Sequence, residues 1–267
     1  MFIKIGERIN SSRTTIARAL ESKDEAFIRR EAALQKAAGA HILDVNCAFN
    51  TKDEIKDMEW LVDIVQKETG LPLSIDSPDP GAVEAGLSRH KGRALVNSIT
   101  LEKGRRDVIL PLVKKYKAGI IVLTIDENGM PETAEQRLEM AKRALDLVKS
   151  HGISGEDLYI DPLVRPISSE PGQALEVINA VKLIKSTSSG EIKLSCGLSN
   201  VSYGLPDRSM LNAVFLAMML AAGLDAAILD PLNKKIDAIL KTSSALLGDD
   251  EFCMEYIKSF RAGKLSL

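Results

Sequence analysis

Eight times along this chain a short apolar run gives way to a polar turn, then an amphipathic stretch, then another apolar run. Runs of this kind stand at residues 2–5, 40–45, 72–75, 94–97, 119–124, 158–160, 193–198 and 226–229. Each is too apolar to keep one face in water, so each is expected as a strand covered on both sides, which is the habit of parallel sheets joined by helical crossovers. Eight such strands imply closure, and 267 residues with 45% hydrophobic content suit one large core. The expected fold class is therefore α/β: a single (β/α)8 TIM barrel over residues 1–267, with an extra C-terminal helix at 250–261.

Helix boundaries are spelled out between the runs. Ser22-Lys23-Asp24-Glu25, Thr51-Lys52-Asp53-Glu54 and Thr133-Ala134-Glu135-Gln136 have the capping-box form, in which a side-chain oxygen and a following acid or amide satisfy the first free N–H groups. Ala38-Gly39, Thr69-Gly70 and Ala222-Gly223 supply the left-handed residue that ends a helix.

The formal net charge is -2, and the basic residues are scattered among acidic ones, so no phosphate-tracking stripe is visible and nucleic acid is not expected as a partner. The N-terminus lacks the charged-then-apolar secretory pattern, and the most apolar run, 213–224, is too short to span a bilayer. The expectation is a cytoplasmic protein with no membrane contact. Cys47, Cys196 and Cys253 stand far apart without CxxC pairing, and are expected as buried free thiols.

A barrel carries its chemistry at the C-terminal ends of its strands. In this chain those ends bring Glu7 and Asn10, Asp44 and Asn46, Asp76, Asn97, Asp126, Asp161, Ser199 and Asn200, and Asp230. No Lys stands there to form a Schiff base, and no His to shuttle protons. His41 opens the second strand, and His90 and His151 fall near helix C-termini, where a partial negative charge favours imidazolium; all three are expected to be structural.

Strand-end acids and amides often do no more than cap the next helix. Several escape that duty here. Asp79 before Pro80 is the better cap, which leaves Asp76 free; Asp161 is followed by 162–166 before a helix can start; and Asn200 is separated by 201–206 from a helix that Asp207 or Ser209 can cap. Asn97 is weaker, since Ser98 or Thr100 can begin the next helix, and Asp230 before Pro231 reads as a cap. A hard cation such as magnesium or manganese would need several of these oxygens to converge, which spacing alone does not exclude; no zinc or iron site is expected without histidines. The amide-rich ring better suits a flat neutral heterocycle. A pterin presents an N3–H and a 2-amino group as adjacent donors that a carboxylate accepts in parallel, and its acceptor atoms suit amides.

The residues Ile5-Gly6-Glu7-Arg8-Ile9-Asn10, Leu43-Asp44-Val45-Asn46, Met58-Glu59-Trp60-Leu61-Val62, Ile75-Asp76-Ser77, Asn97-Ser98, Ile160-Asp161-Pro162-Leu163, Gly197-Leu198-Ser199-Asn200-Val201-Ser202 and Gly223-Leu224-Asp225-Ala226 together resemble the methyltetrahydrofolate:corrinoid/iron–sulfur protein methyltransferases and their corrinoid-dependent relatives. The resemblance covers essentially the whole chain. It implies a methyltransferase whose substrate is tetrahydrofolate or methyltetrahydrofolate, whose corrinoid (cobalamin) is carried by a partner corrinoid protein, and which is a homodimer. Carried over, Asp76, Asn97, Asp161 and Asn200 are the pterin-binding set, with Asn200 at the methyl-bearing N5. Arg208 and Ile228 match positions flanking the pocket, and Glu7, Asp44 and Ser199 complete the substrate-binding group. Asn200, Asp161 and Asp76 are the residues expected to support catalysis. Where better-known members carry Gln after Asn-Val-Ser, this chain has Tyr203, which cannot both donate and accept as an amide does.

Two other readings are carried forward. One is a dihydropteroate synthase-like pterin enzyme, opposed by the lack of a basic residue after the seventh and eighth runs. The other is a non-catalytic folate-binding subunit of a corrinoid complex. For the dimer, the residues themselves offer the apolar helix at 210–222 and Phe252, Tyr256 and Phe260 at helical spacing.

Overall fold

A computed structural model describes residues 2–49, 53–188 and 190–265. Alternation begins with β1 (Ile3–Asn10), followed by the short α1 (Thr14–Glu21), α2 (Glu25–Ala37), β2 (Ile42–Asn46) and α3 (Glu54–Thr69). It continues through β3 (Leu73–Asp76), α4 (Pro80–Arg89), β4 (Leu95–Ile99), α5 (Arg105–Tyr116), β5 (Gly119–Leu123) and α6 (Ala134–Ser150). The chain then forms β6 (Leu158–Asp161), α7 (Gln173–Thr187), β7 (Lys193–Leu194), α8 (Arg208–Ala222), β8 (Ala226–Leu229), α9 (Lys234–Leu246) and α10 (Met254–Arg261). All eight expected strands are present, and every paired neighbour is parallel, in the order β7-β6-β5-β4-β3-β2-β1-β8. The circle closes where Gly197 bridges Ile228 and the Ile228 N–H donates to the Cys196 carbonyl at 2.9 Å. The architecture is the expected (β/α)8 barrel with a helix added at its C-terminal end.

The two faces of each strand have separate tasks. Outward side chains such as Leu43, Val45, Ile75, Val96, Ile120, Val122 and Ile160 pack under the helices at 1% exposure or less, and full burial of such a side chain contributes about 1.5–3 kcal/mol. Inward side chains near the strand starts form a small apolar plug of Ile5, Leu95, Ile121 and Ala226, edged by Ile3, Ile42, Tyr159 and Ile228. Two residues further along, the same faces carry Glu7, Asp44, Asp76, Asn97 and Asp161, so the barrel interior turns from apolar to polar within one pleat repeat.

Two strands are irregular. The β1–β2 register shifts between Gly6 and Ile9, and the β4–β5 register shifts between Val96 and Ile99, so in each case one strand gains a residue over its neighbour. Bulges of this kind re-aim side chains and cluster at active sites. The first lets β1 run on to Asn10 instead of stopping at Ile5, and places Glu7 and Arg8 inside the strand. At the other end, β7 stops after Leu194, earlier than the apolar run suggested, because the chain turns through a 3-10 helix at Leu198–Ser202.

Several expected caps move. Thr133 and Gln136 form the full capping box of α6. By contrast, α2 is capped by Asp24 and not Ser22, which instead closes the unforeseen α1. Thr51 and Lys52 lie outside the described residues, and Asp53 caps α3 by accepting from the Lys56 N–H. Asp79 caps α4 as expected, with Pro80 at the first helical position. The helix after β4 starts only at Arg105, so neither Ser98 nor Thr100 caps it. Asp207 holds the N-cap position of α8 without a side-chain cap bond. Asp230 is not the cap of α9 either: Asn233 is, and Asp230 pairs with Arg8 at 3.0 Å. The glycine ends are as expected, with Gly70 and Gly223 left-handed at the ends of α3 and α8.

Cys47 and Cys196 are buried and free, whereas Cys253 is exposed, because α10 meets water on most of its surface. His90 takes the Leu73 N–H at 3.1 Å and touches Gln66, and burial pushes its imidazole toward the neutral form despite the helix end beside it. No helix among the described residues is long and apolar enough to cross a membrane.

Candidate active site

The polar layer opens into a cavity of about 420 Å3 at the C-terminal mouth, large enough for a bicyclic heterocycle. Glu7, Asp44, Asp76, Asn97, Asp161, Ser199, Asn200 and Ile228 all line it, so eight of the ten residues singled out from sequence meet in one place. Tyr203 and Arg208 do not. Tyr203 is 66% exposed, with its ring 5.9 Å from the Arg208 guanidinium, and Arg208 lines a neighbouring cavity, donating to the Ser199 carbonyl at 2.7 Å and the Ser202 hydroxyl at 3.1 Å. The early turn after β7 leaves Tyr203 at the surface and Arg208 beside the neighbouring cavity.

The floor of the cavity is a chain of donors and acceptors. Asp44 accepts from the Ser74 hydroxyl at 2.7 Å and from the Asn97 amide at 3.1 Å. Asp76 accepts from the Asn46 amide at 3.0 Å, and Asn46 is in turn oriented by the Ser11 hydroxyl at 2.8 Å. On the far side Asp161 takes the Leu163 N–H at 2.8 Å through one oxygen. Each carboxylate is thus held by one wall of the barrel while still facing the cavity. Asn200 differs: it is exposed, its amide makes no hydrogen bond to another described side chain, and it folds over Gly197 so closely that a Cβ there would lie 3.0 Å from Nδ2.

Four carboxyls packed into a small volume favour protons. Burial lifts Asp161 to about 6, against the pull of the Leu163 and Gly197 N–H groups. Burial also raises Asp44 well above the usual carboxylate range, and the neighbouring Asp76 charge pushes it further. Asp76 and Glu7 are raised for the same first reason, and the Asn46 amide and the Ser199 hydroxyl respectively oppose the shift. A ligand that donates hydrogen bonds to these oxygens, and so favours their ionised form, gains from this arrangement.

Sequence reasoning named Asn10 at a strand end and Ser98 as a helix start without giving either a site role, and missed Ser12 and Arg13; all four line the cavity, and Arg208 was the one cation it singled out. Arg8 and Arg13 approach Asp230 at 3.0 and 3.7 Å, and Arg8 also pairs with Glu31 at 2.9 Å. The rim therefore does hold basic groups beside the β8 end, because the β1 bulge keeps Arg8 within the strand. Among the described residues no three His, Cys, Asp or Glu side chains converge as a metal ion would require.

Comparison with known proteins agrees with this geometry. The pterin binding enzyme family matches residues 6–230. The methylcorrinoid:tetrahydrofolate methyltransferase of Eubacterium limosum is 36% identical over 265 residues, 98% of this chain and 97% of that protein. The methionine synthase of Mycobacterium tuberculosis is 32% identical over 86% of this chain, which spans only 21% of that longer protein. In three dimensions the dihydropteroate synthase of Xanthomonas albilineans in complex with 7,8-dihydropteroate superposes with a TM-score of 0.68 at 14% identity, covering 92% of this chain and 93% of its own, a likeness of fold alone. A family match across the barrel and a full-length relative at this identity leave one placement: the chain belongs to the pterin binding enzymes, among their corrinoid-linked methyltransferases.

Proposed function

We infer that this protein moves a methyl group between N5 of a tetrahydrofolate and the cobalt of a corrinoid held by a partner protein. The observation that carries the inference is the near end-to-end match to the Eubacterium limosum methyltransferase. A cavity of acids and amides at the barrel mouth supports it from the chemistry.

In this reading Asp76 and Asp161 accept the ring donors of the pterin, while Asn97, oriented by Asp44, meets its acceptor atoms. Ile228 and the apolar plug below it set the depth at which the ring rests. The corrinoid, when bound, supplies a cobalt that gives or takes the methyl group in line with N5. A tertiary amine leaves badly unless N5 is protonated or strongly hydrogen-bonded as its bond to carbon breaks. Asn200 answers that need: its amide can donate to neutral N5 or, turned over, accept from N5–H⁺, so its contact strengthens along the reaction. Asp76 and Asp161 hold the ring still meanwhile, which keeps carbon and cobalt aligned.

The dihydropteroate synthase reading has less to stand on. Its pyrophosphate would need free cations, and Arg8 and Arg13 are engaged by Glu31 and Asp230.

We place the protein in the cytoplasm as a homodimer. What supports the dimer is an apolar surface: Met210, Val214 and Met218, spaced by four on α8, are 39%, 50% and 46% exposed, and Phe252 and Phe260 near the C-terminus are 83% and 70% exposed. Light scattering at micromolar concentration should give twice the chain mass, and a monomer would refute it.

The activity is tested by incubating the purified protein with methyltetrahydrofolate and cob(I)alamin, then running the reverse reaction, with optical detection of the cobalt state. Methyl transfer is expected in both directions. Its absence in both would overturn the function.

A further inference from the structure

Beside the main cavity lies a second one of about 210 Å3, between the 3-10 turn at Leu198–Ser202, the first turns of α8 and the end of β8. Glu7 and Ser199 line both, so they form the partition between the two. The partition is bonded: the Ser199 hydroxyl donates to Glu7 at 3.1 Å. Beyond it the second cavity is lined by Arg208, Asp230 and Asn233, with Arg208 exposed to solvent.

Asn212 points to what fills this space. The residue is only 8% exposed and lines the cavity, yet its Oδ1 accepts no hydrogen bond from any described residue. A buried orphan acceptor in a polar cavity of this size is what ordered water satisfies, since a water needs two to four polar partners and all of them are present.

We propose that the second cavity is a water-filled antechamber through which Glu7 passes the N5 proton to and from solvent. The inference rests on the methyl-transfer reading above. In that reaction the corrin ring must sit over the mouth with cobalt aligned on N5, so the mouth is closed to water when the proton has to move. A side route has to carry it. When tetrahydrofolate is methylated, the N5 lone pair bonds to the methyl carbon as the carbon–cobalt bond breaks, its electron pair staying with cobalt. N5 then bears methyl, proton and positive charge; the proton passes to the Glu7 carboxylate, directly or through one water, and on into the antechamber. In reverse, protonated Glu7 supplies N5 as the carbon–nitrogen bond breaks.

The charged groups facing Glu7 come from four sides: Asp44 on β2, Arg13 after β1, Arg208 on α8 and Asp230 after β8. Two cations and two carboxylates surround it, so neither form of Glu7 is locked in. Burial raises its carboxyl, which brings it nearer the pH at which an acid and base of one group are both accessible.

The test is single-turnover methyl transfer at saturating folate with a methylated corrinoid protein, followed across pH, with released protons read by an indicator dye and folate affinity measured separately. Glu7→Gln should slow transfer by about 10²-fold or more and remove the pH dependence that the parent shows. Glu7→Ala should regain rate with added formate, a small acid that fits the vacated volume, which a purely structural Glu7 would not permit. Asn212→Leu, which removes the orphan acceptor from the antechamber wall without entering the pterin cavity, should slow proton release, and release at the parent's rate would overturn the antechamber. A parent protein that transfers methyl groups, with Glu7→Gln matching its rate and pH profile or Glu7→Ala indifferent to formate, overturns this inference alone. A parent without transfer overturns it together with the function.

Discussion

Asn97 gives its amide to the Asp44 carboxylate at 3.1 Å, and the same oxygen of Asp44 takes the Ser74 hydroxyl, so one buried acid on β2 orients side chains on β3 and β4. In the proposed site Asp44 acts on the ligand by orienting Asn97. Asp44→Ala strands both donors, and leaving buried polar groups unsatisfied costs about 1–3 kcal/mol. We expect a loss of that order in urea unfolding together with weakened folate binding. Asn97→Ala should weaken folate binding with a smaller loss of stability, and equal unfolding midpoints for the Asp44 variant and the parent would contradict the arrangement.

Asp76 and Asp161 face the cavity from opposite sides, and neither caps a helix. Removing either by substitution with Ala should lower folate affinity by about ten- to two-hundred-fold, the worth of one charge-assisted hydrogen bond at roughly 1.5–3 kcal/mol. Calorimetric titration reads this directly; unchanged affinity in both variants would count decisively against them as anchors.

Asp161 also sets a pH dependence. Its carboxyl stands at about 6 in the folded protein, above its ordinary value of 3.8, so the folded chain holds this proton more tightly than the unfolded chain does. The resulting stabilisation is full below the unfolded value and is lost as pH rises through about 6. Folate binding runs the other way, because ring donors need the ionised form. Affinity should fall as pH drops below about 6, and Asp161→Asn should bind weakly with that limb absent. A parent affinity flat from pH 5 to 8 would argue against Asp161 as an acceptor.

Among the described residues Asn200 is held by its backbone and by the close fit over Gly197, with no side-chain bond to its amide. Asn200→Ala should slow single-turnover methyl transfer by about 10²–10³-fold, roughly 2.7–4 kcal/mol, with a smaller change in folate affinity. A rate within a few-fold of the parent at saturating methyltetrahydrofolate would remove Asn200 as the N5 partner.

The barrel was readable because each strand falls in a mainly apolar run with an acid or amide at or soon after its end, a pattern that survives small errors of boundary. Asp76, Asp161 and Asn200 could be separated from ordinary caps by the prolines and loop lengths after them, and they do line the cavity. What escaped was geometry without a local signature. Nothing in Gly6-Glu7-Arg8-Ile9 announces that two of its residues will face Asp44 across the ladder, so Arg8 and Arg13 were not seen near the rim. Tyr203 and Arg208 came with the resemblance, Arg208 as a pocket-flanking position, and the tight 3-10 turn sets Tyr203 at the surface and Arg208 in the adjoining cavity. Capping went astray where two candidates stood close together, as with Ser22 and Asp24, since both suit the role and packing chooses between them.

The bulges in β1 and β4 set ladder continuity against chemistry. Removing the extra residue from either strand would restore an unbroken run of backbone bonds and leave Ile9 opposite Val45 and Ile99 opposite Val122, at the loss of one residue from the pair Glu7 and Arg8 or from the pair Asn97 and Ser98. A barrel built for rigidity alone would be free to make that deletion; in this one the extra residues set Arg8 against Asp230 and bring Ser98 to the cavity wall.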